Sequence, residues 1–160
     1  MVEFRPALAI MHAMKTLLRF SHTLFVPLML LLVACGAQAS GVQVTDVWGR
    51  PSPMMAQSGA FYMTIENKGA EDDALLRVET AACGVTELHE SSMDDAGVMQ
   101  MRPVEGGRIE IPAGGTVTLK AGGLHVMCLQ MPQAFATGEK IPLTLVFENA
   151  GTLPIEAEIR

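Results

Sequence analysis

From residue 42 onward, no stretch of ten or more residues repeats its apolar side chains at a helical period, and turn signals recur every few residues. That absence constrains the fold more than any other feature, because a chain without amphipathic helices must bury its core between strands. Ten short strand-like runs can be read: 42–48, 60–67, 74–80, 85–90, 98–104, 108–112, 116–120, 124–131, 141–148 and 153–160. The breaks between them are NKGAEDD, MDDAG, EGG, two copies of AGG, ATGEK and ENAG, all rich in residues that favour turns. Many short strands at close spacing predict an all-β domain, an antiparallel β-sandwich spanning residues 40–160.

The N-terminal segment reads differently. MKTLLRF, starting at Met14, supplies a positive n-region, and LFVPLMLLLVA supplies an apolar h-region. The apolar run from Leu24 to Ala34 has 11 residues, whereas a spanning helix needs roughly 20. Residues 1–39 are therefore expected to be a signal or targeting segment. Two processing sites compete: LVAC at 32–35 has the form of a bacterial lipobox and would leave a lipidated Cys35, and AQA at 37–39 suits a signal peptidase cutting before Ser40. Either one makes the domain exported, periplasmic or otherwise extracytoplasmic, and the first attaches it to a membrane through acyl chains.

Cleavage before Cys35 removes Arg5, Lys15, Arg19 and Glu3, leaving eight basic against sixteen acidic residues and moving the net charge from −6 to −8. An acidic surface repels phosphate backbones, which excludes nucleic acid as a natural partner. Two cysteines remain beyond the leader, Cys83 and Cys128. An exported compartment permits a disulfide between them. Two buried thiols are the alternative, or a soft metal ligand supplied by Cys128 beside Met127. There is no C-x-x-C, so a thioredoxin-like role has no support.

The chemistry-bearing residues are the two histidines beyond the leader, both set among methionines. His89 precedes Met93, Met99 and Met101, and His125 opens the tripeptide HVM that holds Met127. Imidazole with thioether suits soft Cu(I), whereas carboxylate and water would suit magnesium, calcium or manganese. Strand alternation places His125, Met127, Leu129 and Met131 on one side, with Val126, Cys128 and Gln130 on the other. It likewise aligns Val85, Glu87 and His89, and aligns Met99 with Met101. If these strand ends converge, one cluster forms from His89, Met99 or Met101, His125 and Met127.

Other readings fit less well. A blue-copper centre needs a second histidine upstream of a Cys-His-Met loop, and residues 40–82 contain none. No G-x-S-x-G elbow or P-loop appears, and Asp72, Asp73, Asp94 and Asp95 read as turn residues. Met54 and Met55 lie in a proline-bearing loop, where they are either ordinary loop residues or a secondary copper-catching pair. Beyond copper binding, the alternatives are a non-metal binding or adhesion sandwich whose methionines pack the core, and a copper redox protein.

The segments DVWGRPSP, GAFYMTIEN, ELHES, GVMQMRPV, IEIPAGGTVTLKAGGLHVM and PLTLVFENAG together resemble the periplasmic copper chaperones of the PCu(A)C type over residues 42–160. The resemblance implies a cupredoxin-like β-sandwich that is not an enzyme. It also implies binding of copper, chiefly Cu(I), and delivery to a copper-accepting membrane protein such as a haem-copper oxidase, or to another copper chaperone. The implied ligands are His89, Met101, His125 and Met127. Eleven residues separate His89 from Met101 and 23 separate Met101 from His125, each gap about one longer than the family's usual spacing, with the surplus in turns that tolerate insertion. Met101 keeps the family's M-R-P flank, and Met99 stands as the alternative third ligand.

Overall fold

The computed structural model describes residues 41–160 apart from Met54 and Ala56, so the expectations for 1–39 and for Met54 lie outside the described residues. Ten strands follow in order: β1 (Val42–Pro51), β2 (Gly59–Asn67), β3 (Asp73–Glu79), β4 (Val85–Met93), β5 (Met99–Pro103), β6 (Ile109–Ile111), β7 (Thr116–Leu119), β8 (Leu124–Leu129), β9 (Lys140–Phe147) and β10 (Thr152–Ile159), with one 3-10 turn at Glu105–Gly107. Each expected run holds one strand. Two of the strands run three residues further than expected. β1 continues through Gly49, Arg50 and Pro51, which pair with Phe61, Ala60 and Gly59. β4 continues to Met93, which pairs with Met99.

The strands form one hydrogen-bonded path, β5-β4-β8-β2-β1-β10-β9-β3-β6, with β7 also pairing with β2. This path doubles over into a sandwich, as β3 and β4 touch without pairing. The hinge is β1. Its register shifts between Thr45 and Trp48, where Asp46 has a φ of 50°, and such a bulge bends a strand so that it can serve two layers. Its far end pairs with β10 in parallel, which corrects the expectation of a wholly antiparallel sheet. The bend turns the end of β1 toward the C-terminal strand, and among the described residues every other pairing is antiparallel.

Between the layers lie Phe61, Met63 and Ile65 from β2, Leu88 from β4, Leu119 from β7 and Val126 and Cys128 from β8. They pack with Leu75, Val78, Ile109, Ile111, Leu143, Leu145 and Ile159 from the opposing strands. The inward set is every second residue along β2, as pleating requires. Cys83 and Cys128 are joined in a disulfide with Cα atoms 5.4 Å apart. The bond ties the segment just before β4 to the end of β8 from the core side, so Cys128 is not a metal ligand.

Alternation fails at one place. Met131 packs in the core with Val126 and Cys128, not on the side of His125. Gln130 adopts a φ of 53° just beyond the end of β8, and this left-handed residue resets the period of two.

Candidate metal centre

β4 and β8 carry the site because their antiparallel register sets His89 opposite His125 and Glu87 opposite Met127. β8 is buried on both sides. Val126 and Cys128 face the core, while His125 and Met127, 3% and 6% exposed, face the other way. A strand that is polar on one face and apolar on the other, yet buried on both, needs something to cover its polar face. On that face lies a cavity of about 190 Å³ whose lining includes Arg50 from the end of β1, Tyr62, Ser91, Met101, His125 and Met127.

The two imidazoles stand edge to face with ring centroids 5.9 Å apart. Each is held through one nitrogen. His125 Nδ1 lies 2.9 Å from the Gly123 carbonyl, which can only accept, so Nδ1 carries the hydrogen and Nε2 keeps its lone pair. His89 Nε2 lies 2.7 Å from Glu87 Oε2 and donates to that carboxylate. The remaining nitrogens, His89 Nδ1 and His125 Nε2, are buried and have no hydrogen-bond partner among the described residues. Leaving a buried acceptor unmatched costs about 1–3 kcal/mol. Both atoms carry lone pairs on neighbouring rings, available to a ligand that accepts them.

The supporting groups are set by local backbone. The turn after β7 places Gly122 at a φ of 78°, a conformation that glycine adopts freely. The Gly123 carbonyl then accepts both the His125 ring and the Ser91 amide, the latter at 3.0 Å. Tyr62, across from His125, has its ring centroid 6.3 Å away and stacks on Trp48 at 4.4 Å. Arg50 lies over the Tyr62 ring at 5.7 Å. Burial pushes the His125 pKa below its ordinary value; the Gly123 carbonyl opposes this, and electrostatic repulsion from the neighbouring His89 ring and Arg50 adds to the lowering. His125 is thus kept neutral, the form that binds metal.

The two methionines left open by alternation occupy different places. Met101 is the cross-strand partner of Ser91, and Met99 that of Met93. Met101 borders the cavity with His125 and Met127; Met99 is one same-face step further from the histidines. Met55 is exposed on the β1–β2 loop. Among the described residues no three His, Cys, Asp or Glu side chains converge as a metal site, which leaves hard and borderline ions without a full donor set. Glu87 was visible in the sequence as a residue aligned with His89, but nothing there showed that it holds the ring. Gly123 was visible only as part of a turn.

The sandwich is that of a PCuAC-type domain, a class that comparison with known proteins bears out. The apo PCuAC domain of PmoF1 shares the fold with a TM-score of 0.64 and 26% identity, covering 76% of this chain and 95% of that one. The Cu(I) form of DR1885 from Deinococcus radiodurans matches with a TM-score of 0.54 and 31% identity, covering 79% of this chain and 83% of that one. The sequence matches the family described as "Putative lipoprotein LpqE-like" over residues 42–159, and the chain belongs to that family. A relative in Leifsonia xyli subsp. xyli, named "Putative lipoprotein Lxx21020", is 31% identical over 127 residues, which make up 78% of this chain and 73% of the relative.

Proposed function

We propose that the protein is an exported copper chaperone that binds one Cu(I) through His89 Nδ1, His125 Nε2, Met127 and Met101, and passes it on by ligand exchange. The observation that carries this reading is the pair of buried, unpartnered imidazole nitrogens, each on a ring whose other nitrogen is already tethered. Metal-binding histidines are typically held in this way, by a carboxylate or a backbone carbonyl. Two neutral imidazoles and two thioethers make an uncharged, soft donor set suited to Cu(I). The copper-bearing solution structure of DR1885 supports the same choice of metal.

In this reading the function is binding and transfer rather than catalysis. The donors differ in accessibility: His125 and Met127 are buried, and Met101 is 56% exposed. A partner can displace Met101 first, so the ion leaves stepwise without ever entering free solution. The recipient in this reading is a membrane protein that needs copper, such as a haem-copper oxidase, or a second copper chaperone. Among the described residues no helix is long and apolar enough to cross a membrane. Lipidation at Cys35 would place the domain, residues 40–160, at the membrane surface beside such a recipient, and the relative's name supports a lipoprotein.

An anaerobic Cu(I) competition titration of the exported protein tests the reading. It should give close to one ion per chain, with affinity falling in both His125→Ala and Met127→Ala. Full-strength binding in the double variant would contradict it.

A further inference from the structure

The hairpin that supplies Met101 carries two more thioethers on the same face, and the proposed site uses neither. Along β4 and β5 the cross-strand pairs on this face are His89 with Pro103, Ser91 with Met101 and Met93 with Met99. The backbone bonds fall on the intervening pairs: Val104 N donates to Leu88 O, and Asp94 N to Val98 O. Met93 and Met99 are therefore a non-hydrogen-bonded pair, the kind in which side chains come closest, with Cβ atoms about 4.5–5.5 Å apart. Met101 is next to Met99 on the same strand face and diagonal to Met93, within reach of long side chains. All three are more than half exposed, at 65%, 54% and 56%, and they add nothing to the core.

The turn beneath them is fixed. Asp94 Oδ1 accepts the amides of Ala96 and Val98 at 3.0 and 2.9 Å, and Asp94 Oδ2 accepts Gln100 Nε2 at 2.9 Å. This locks the register that pairs Met93 with Met99. It also occupies the Asp94 carboxylate, leaving sulfur as the donor that the paired face presents.

We infer that Met93, Met99 and Met101 form a solvent-facing capture site for Cu(I), from which the ion moves to His89 and His125 by exchange of ligands about Met101. The inference rests on the proposed copper-binding role and deepens it. Three thioethers supply a soft, uncharged donor set that holds Cu(I) weakly. Met101 belongs to both sets, so the ion need not leave the protein between them. The transfer exchanges the sulfurs of Met93 and Met99 for the lone pairs of His89 Nδ1 and His125 Nε2 and the sulfur of Met127. Copper stays Cu(I), and no electron or proton changes place.

The test uses the exported protein with carbon-13-labelled methionine methyls, silver nitrate as a redox-inert probe, and Cu(I) supplied as its acetonitrile complex. In His89→Ala/His125→Ala, Ag(I) should shift the Met93, Met99 and Met101 methyls, and adding Met93→Leu and Met99→Leu should abolish the binding. In the otherwise native protein, Met93→Leu/Met99→Leu should slow Cu(I) loading on the order of tenfold, because the local supply of ion is lost, with equilibrium affinity unchanged. Leucine keeps the size and hydropathy of methionine, and an unchanged melting midpoint would verify the fold. If the wild-type imidazoles respond to metal but the Met93 and Met99 methyls never do in either background, or if loading is not slowed, the capture site is refuted while the chaperone reading stands. If those methyls respond and the imidazoles do not, the capture site stands and the chaperone site falls.

Discussion

Replacing Glu87 separates a positioning role from a merely electrostatic one. Its carboxylate accepts the His89 Nε2 hydrogen at 2.7 Å, which fixes the tautomer and leaves the Nδ1 lone pair free. Glutamine at this position can still accept that hydrogen through its carbonyl but has no charge, and alanine can do neither. Loss of such a supporting partner typically costs about 10- to 100-fold in metal affinity. Glu87→Gln should fall near the lower end, about 1.4 kcal/mol, and Glu87→Ala near the upper end, about 2.7 kcal/mol. The Glu87 side chain is 43% exposed, so its bare attraction for a cation is weakened by solvent and salt. A purely Coulombic role would make both variants equal and would vanish in high salt. The assay is Cu(I) competition against a chromophoric chelator at low and high ionic strength, with a urea melt to show that the fold is kept. Identical affinities for the two variants, or a loss abolished by salt, would refute the positioning argument.

Three further outcomes follow from the same geometry. Replacing both Cys83 and Cys128 by alanine frees a loop with a sequence separation of 45, which on the chain-entropy estimate costs about 4 kcal/mol; a urea melt showing almost no loss would contradict the bridge. Met101→Leu should weaken Cu(I) binding at equilibrium and Met99→Leu should not, and the reverse order in a competition titration would exchange their roles. For pH, the folded state holds His125 below its ordinary 6.5, so the unfolded chain binds more protons as the pH falls through 6.5. Stability without metal should then be flat above that value and decline below it, and Cu(I) affinity should decline in the same direction because protons compete for the nitrogen. His125→Asn should flatten the stability profile. A wild-type profile that rises on acidification would have the wrong sign.

The sequence made the strands legible because most are short, rich in apolar residues and bounded by turn residues. It made the pairing of His125 with Met127 legible for the same reason, since two residues on one strand share a face whatever the neighbours are. What it left open depended on which strands are adjacent and in what register. Met99 and Met101 lie on one face, so alternation alone does not separate them; the register sets Met101 opposite Ser91 and beside the cavity, one same-face step nearer the histidines than Met99. Met131 was misplaced because one left-handed residue, Gln130, shifted the period. The parallel pairing of β1 with β10 depends on a bulge at Asp46 that no composition signal announces. Glu87 and Gly123 act through hydrogen bonds to rings, and only coordinates show those.

The most direct test of the central claim is nitrogen-15 NMR of the two imidazoles during anaerobic addition of Cu(I) to the exported protein. With one equivalent, His89 Nδ1 and His125 Nε2 should both shift as they bind metal, while His89 Nε2 and His125 Nδ1 keep their hydrogens. If those two nitrogens are unmoved at full loading, or the opposite pair responds, the site described here does not bind copper as proposed.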